Sequence, residues 1–155
     1  MEHHLSTLRF LAGRLAAWLA AVAVAYLLAV VTATQAVVAR LEGMGVQVPL
    51  TERLAMSLRD LAGMAGMFLP MIAFALLVAF LCAALLGRWL RRGRPLLYFV
   101  AGAAAVVTIH LALHLALGIT PVAIARTAGG LALQGLAGGI GGLLYPSLAR
   151  RLTPG

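Results

Sequence analysis

The sequence predicts an all-α integral membrane protein, four transmembrane helices with a short interfacial helix in the first outer loop, forming a single domain over residues 1–155. Three observations carry that reading. Apolar residues make up 63% of the chain, charged residues 10%, and the mean hydropathy is +1.04, values beyond the range of a soluble domain. Four apolar stretches, at about 15–39, 63–86, 96–119 and 127–145, match or approach the length needed to cross a bilayer. That length is about 20 residues, because a helix rises about 1.5 Å per residue and the hydrocarbon core is roughly 30 Å thick. Finally, every backbone amide in lipid needs an internal partner, and no stretch shows the alternating pattern of a barrel strand, so the spanning elements are helices.

The first span follows Arg9 and Arg14 and runs unbroken and apolar from Leu15 to Val31, longer than the roughly 7–15 residues of a signal-peptide core. It therefore reads as a retained helix, with Ala21, Ala25, Ala29, Thr32 and Ala36 as a seam of small residues on one face. Gly43, Gly45 and Pro49 stop it, and Thr51 offers an N-cap ahead of Glu52 for a short helix at about 51–61. There Leu50, Leu54, Leu58 and Leu61 form an apolar face, with Arg53, Ser57 and Asp60 on another, the pattern of a helix lying flat on a membrane surface.

The second span begins with Met64, Met67 and Met71 at helical spacing, and Pro70, expected about 10 Å into the helix, frees a backbone carbonyl there. Cys82 is the single cysteine, which rules out a disulfide within the chain and reads as a small apolar residue. The third span carries His110 and His114 one turn apart, and Thr108, whose hydroxyl can bond the carbonyl a turn back. The fourth is rich in glycine. Gly135 with Gly139, and Gly138 with Gly142, form two overlapping small-xxx-small pairs that let helix backbones approach closely. One such face suits the chain's own helices, leaving another for a second copy or a partner protein.

Charge sets the expected orientation. The net charge of +8 comes from twelve basic residues, all arginine, against four acids. Arg9, Arg14, Arg88, Arg91, Arg92, Arg94, Arg150 and Arg151 fall on one side of the four spans, and Arg40, Arg53, Arg59 and Arg126 on the other. The positive-inside rule makes the first side, with both termini, cytoplasmic. A role in topology and lipid-headgroup contact accounts for this basic surface without nucleic acid.

Polar side chains within the spans gather in the outer half. His110 and His114 lie about 13 and 7 Å below the outer end of the third span near Ile119, and Gln134 about 12 Å below Arg126 in the fourth. Thr32 and Gln35 sit in the outer third of the first. These five residues form a candidate polar pocket, in which His110 bonds Gln134 and His114 bonds Gln35 or Thr32 at about 0.6 kcal/mol per bond. An alternative use of the same layer is a Cu(I) site of His110 and His114 with the thioethers of Met64, Met67 and Met71. Zinc would need three or four ligands, and bis-histidine haem ligation needs opposite sides of the ring.

No aspartate, glutamate or lysine lies within a span, no nucleophile and base stand at catalytic spacing, and no phosphate-binding loop is present. The expectation is a small non-enzymatic protein of the bacterial inner membrane, without a cofactor. It packs with itself or a partner membrane protein through the Gly-rich fourth helix. The alternative is a small-ligand or copper carrier with an outward-facing site at His110 and His114. Small four-helix multidrug exporters resemble the chain in size and span number, but their first helix carries a membrane-embedded glutamate and this one has none.

Overall fold

A computed structural model describes residues 2–89, 93–117, 125 and 127–153. Five helices follow one another: α1 (Glu2–Gly43), α2 (Leu50–Met64), α3 (Phe68–Leu86), α4 (Arg94–Leu117) and α5 (Ala128–Leu152). All except α2 are long and apolar enough to cross a membrane. Arg91, Arg92, Arg126 and the end of the third expected span at Ile119 lie outside the described residues.

Local chemistry sets where the helices stop and start. α1 holds 42 residues, about 63 Å at 1.5 Å per residue and twice the thickness of a hydrocarbon core. It ends where Gly45 takes φ +86. There the Gly45 amide donates to the Glu42 carbonyl and the Val46 amide to the Leu41 carbonyl, a Schellman pair that satisfies the last turn. Gly93, at φ +88, leads into α4. Thr127 caps α5, its side chain accepting from the Gly130 amide at 3.1 Å.

Two boundaries differ from those the sequence suggests. Pro49, not Thr51, is the N-cap of α2, and it makes no side-chain cap bond. Its fixed φ, here −62, and its extended ψ set the entry to the helix without a hydroxyl. The helix expected from residue 63 begins instead at Phe68, after a turn at 65–67. Pro70 consequently sits in the first turn of α3, where a missing amide hydrogen leaves nothing unpaired, rather than about 10 Å into the helix. The same turn divides the methionine stripe: Met64 is in α2, Met67 is an exposed turn residue and Met71 is in α3.

Consecutive long helices run antiparallel, and α5 sits between α1 and α4. Its two inward faces are almost bare. Toward α4, a Cβ added to Gly142 would stand 2.1 Å from the Tyr98 carbonyl oxygen, and one on Gly138 would stand 2.3 Å from that of Gly102. Added to Gly139 it would strike the Phe99 ring at 2.5 Å, and to Gly135 the Val107 side chain at 3.1 Å. Toward α1, a Cβ on Gly141 would meet the Ala21 carbonyl oxygen at 2.7 Å, beside a seam in which Ala21, Ala25 and Ala29 are fully buried. The glycines of both small-xxx-small pairs thus meet α4 within the chain. The partner surface on α4 is built around Gly102, a residue that its own span does not mark out.

α3 packs on α4 and on α1, with Phe68, Ile72, Leu76, Phe80 and Ala83 facing the core. A substitution test follows from the close approach of α5. Gly142→Ala should lower bundle stability by about 1–3 kcal/mol, the usual range for overpacking. Gly129→Ala meets nothing within 4 Å and should be neutral or slightly stabilising. Unfolding in mixed micelles of increasing denaturing detergent reads both, and equal midpoints for the two variants would refute the packing argument.

Candidate functional site

The polar residues singled out in the sequence divide into two groups. Gln134 is fully buried on α5 and donates through Nε2 to the Ala29 carbonyl of α1 at 2.9 Å. Thr32 donates back to the carbonyls of Leu28 and Ala29, at 2.7 and 3.1 Å, so Thr32 and Gln134 share one acceptor. His110, 2% exposed on α4, places Nδ1 2.9 Å from the Val106 carbonyl and its ring edge-on to Phe68, with centroids 5.6 Å apart. Phe68 in turn lies 6.3 Å from the ring of Tyr26. One layer of the core therefore holds Tyr26, Ala29, Thr32, Phe68, His110 and Gln134.

His110 and Gln134 do not bond each other, contrary to the sequence-based expectation. A carbonyl only accepts, so Nδ1 of His110 carries the hydrogen and Nε2 is left with a lone pair. Gln134 gives an amide hydrogen to the Ala29 carbonyl, and its Oε1 is a second buried acceptor. Two acceptors cannot satisfy one another, and both atoms are buried without a partner. The nitrogen of the Trp18 indole is the third such atom.

Gln35 belongs elsewhere. Its side-chain amide reaches the Ser57 hydroxyl of α2 at 3.4 Å, in a polar seam between α1 and α2. Thr34, 1% exposed, donates to the Asp60 carboxylate at 2.7 Å and also lies 3.1 Å from the Val30 carbonyl. Tyr26 donates its hydroxyl to the Leu61 carbonyl, and Ser57 bonds the Arg53 carbonyl at 2.9 Å. Arg53 pairs with Glu42 and donates to the Val48 carbonyl at 3.0 Å. The sequence marked Ser57 and Asp60 as one face of α2. That face turns toward α1, while Leu50, Leu54 and Leu58 are exposed. Thr34 was missed altogether, and its only sequence signal was a third hydroxyl-bearing or amide residue close to Thr32 and Gln35.

His114 is exposed, unlike His110, so the two imidazoles do not enter one buried pocket. Met64 and Met71 are half-buried against the core and Met67 is 54% exposed. Among the described residues no three His, Cys, Asp or Glu side chains stand together as metal ligands.

No protein-family model matches the chain, and no characterised protein or solved structure matches it.

Two substitutions separate the groups. Asp60→Ala should release α2 from α1, and amide hydrogen exchange should quicken in α2 while α4 and α5 keep their protection. His110→Leu loses one local bond and one unpaired acceptor, so stability should change by less than about 1 kcal/mol. A large loss would mean that the imidazole bonds a group outside this arrangement.

Proposed function

We propose that the chain is a small non-enzymatic protein of the bacterial cytoplasmic membrane that associates with a second copy or with another membrane protein through α5. Leu133, Leu136, Ile140 and Leu143 carry the reading: they recur at spacings of three, four and three and stand 40–49% exposed on the outward face of α5. The other two faces of that helix are taken by α1 and α4, so this row is what α5 has to offer a partner. The four long apolar helices support insertion, and the arginine distribution supports a cytoplasmic location for both termini. In that setting the exposed leucines of α2 would rest on the outer leaflet, with its polar face turned to α1.

A carrier is the second reading. Two buried acceptors without a partner, His110 Nε2 and Gln134 Oε1, favour it, since a donor hydrogen of a small polar ligand would satisfy either one. Copper has less in its favour, because His114 and Met67 are both exposed.

Cysteine cross-linking in native membranes tests the association. In a Cys82→Ser background, Leu136→Cys and Ile140→Cys should form dimers with a short bis-maleimide. Phe74→Cys, exposed on α3, should not. Dimer yields no higher than the α3 control would remove self-association. Orientation is checked separately: reporter fusions after Arg94 and after Gly155 should read cytoplasmic and one at Val48 external, and an external signal at Gly155 would reverse the topology.

A further inference from the structure

At the end of the bundle away from α2, a partly open cavity of about 310 Å³ is lined by four exposed arginines: Arg14 of α1, Arg88 just beyond α3, Arg94 at the start of α4 and Arg150 near the end of α5. Among the described residues no acid answers them. The four acids of the chain are Glu2, Glu42, Glu52 and Asp60, the last three at the opposite end. Glu2 lies twelve residues before Arg14 on the same helix, about 18 Å along its axis. None of the four arginines makes an ion pair among the described residues. Arg14 stacks on Phe10 at 4.6 Å, and Arg94 reaches the Gly87 carbonyl at 3.4 Å, so their charges stay uncompensated.

Membrane orientation alone does not call for this geometry. The positive-inside rule counts arginines near the ends of spans and is indifferent to whether they converge. Here four segments bring one arginine each to a single cavity, and the first turn of α4 adds the positive end of its dipole through Arg94 and Pro95. Guanidinium groups offer paired donors that match phosphate oxygens.

The surroundings suit a lipid. Tyr98 and Tyr145 also line the cavity; Tyr98 meets Phe80 edge-on at a centroid distance of 5.6 Å and Tyr145 stacks on it at 4.8 Å. Trp89, 89% exposed, stands at the same end, as aromatic residues do at headgroup level. A second and larger cavity, about 810 Å³, opens between α3 and α4, and apart from Thr108 and Cys82 its walls are hydrocarbon, with Leu86 and Leu97 at its basic end. Ala83 lines both cavities. We propose that the arginine cavity binds the phosphate headgroup of an anionic glycerophospholipid whose acyl chain lies along the α3–α4 groove. Basic pockets between helices on the cytoplasmic side are suited to multiply charged headgroups, so phosphatidate and cardiolipin should bind ahead of singly charged lipids.

The proposal stands apart from association through α5 and is tested on the full chain. The protein is purified in a zwitterionic detergent and titrated with phosphatidate, cardiolipin, phosphatidylcholine or inorganic phosphate. Native mass spectrometry reads retained adducts, and thermal denaturation reads the accompanying shift. Phosphatidate and cardiolipin should be retained and should raise the midpoint, with phosphatidylcholine inert. Arg14→Gln with Arg94→Gln should weaken retention about tenfold or more, given the strength of charge-assisted hydrogen bonds. Arg9→Gln, outside the cavity, should not. Arg94→Lys keeps the charge that sets orientation but loses the planar fork, so it should fold and still bind more weakly. Equal retention by wild type, Arg94→Lys and the double variant would overturn the proposal. A midpoint shift of the same size with inorganic phosphate would overturn the lipid assignment and leave a soluble-phosphate site.

Discussion

Two helices in lipid gain little by burying leucine against leucine, because acyl chains offer the same contact. What holds them is dispersion between backbones that come unusually close. α5 supplies that approach twice. Gly138 and Gly142 bring its backbone against the carbonyls of Gly102 and Tyr98 in α4, and Gly141 brings it against Ala21 in α1. Neither α1 nor α4 offers such a surface to the other, so α5 is the member that joins them. α3 then closes one side through the aromatic contacts of Phe68 and Phe80.

The long-range polar ties follow from this framework. The Ala29 carbonyl is within reach of Gln134 because the neighbouring positions on both helices are small. Past that level α1 continues toward Gly43, and the extra length carries Thr34 and Gln35, which hold α2. A shorter first helix would remove the Thr34 bond to Asp60 and the Gln35 bond to Ser57. The 42 residues of α1 therefore have a structural use beyond crossing a bilayer.

Hydropathy is a local property, and the existence and order of the four long apolar helices were legible from it, though α1 and α5 extend well beyond the expected spans and α3 starts later. Gly45 was readable as a stop for the same reason, since a left-handed backbone is a one-residue demand. What sequence alone concealed were choices made between distant segments. The break at 65–67 contains Gly66 and lies ahead of Pro70, breakers that hydropathy passes over, and the cost to the methionine stripe appears only once that turn is placed. Thr32, Gln35, His110 and Gln134 were singled out and Thr34 was not, and the pairing expected among them differs from the one found. Gln134 and Gln35 sat at compatible depths with His110 and His114, and depth says nothing about azimuth. Gln35 faces α2 while Gln134 faces α1, a distinction of rotation about two helix axes. The glycine faces were visible as bare surfaces, but not which helix would cover them, because Gly102 stands in a helix whose remaining composition is ordinary for a span.

The two ends of the bundle treat charge in opposite ways. At the α2 end Arg53 pairs with Glu42 and Asp60 is held by Thr34, so part of the charge is answered within the chain. At the other end four arginines line one cavity with no acid paired to them among the described residues. Surface arginines can spread apart in water, where a repulsion between unit charges is worth only about 1 kcal/mol at 4 Å. Those on the ends of packed helices keep their side-chain freedom, but their attachment points are fixed because α1, α4 and α5 are in close backbone contact. The close packing that holds the bundle together therefore also sets the backbone positions from which these arginines line one cavity, a surface suited to negative charge from the medium. On the reading that this end is cytoplasmic, the leaflet it meets is the one whose anionic lipids supply such charge.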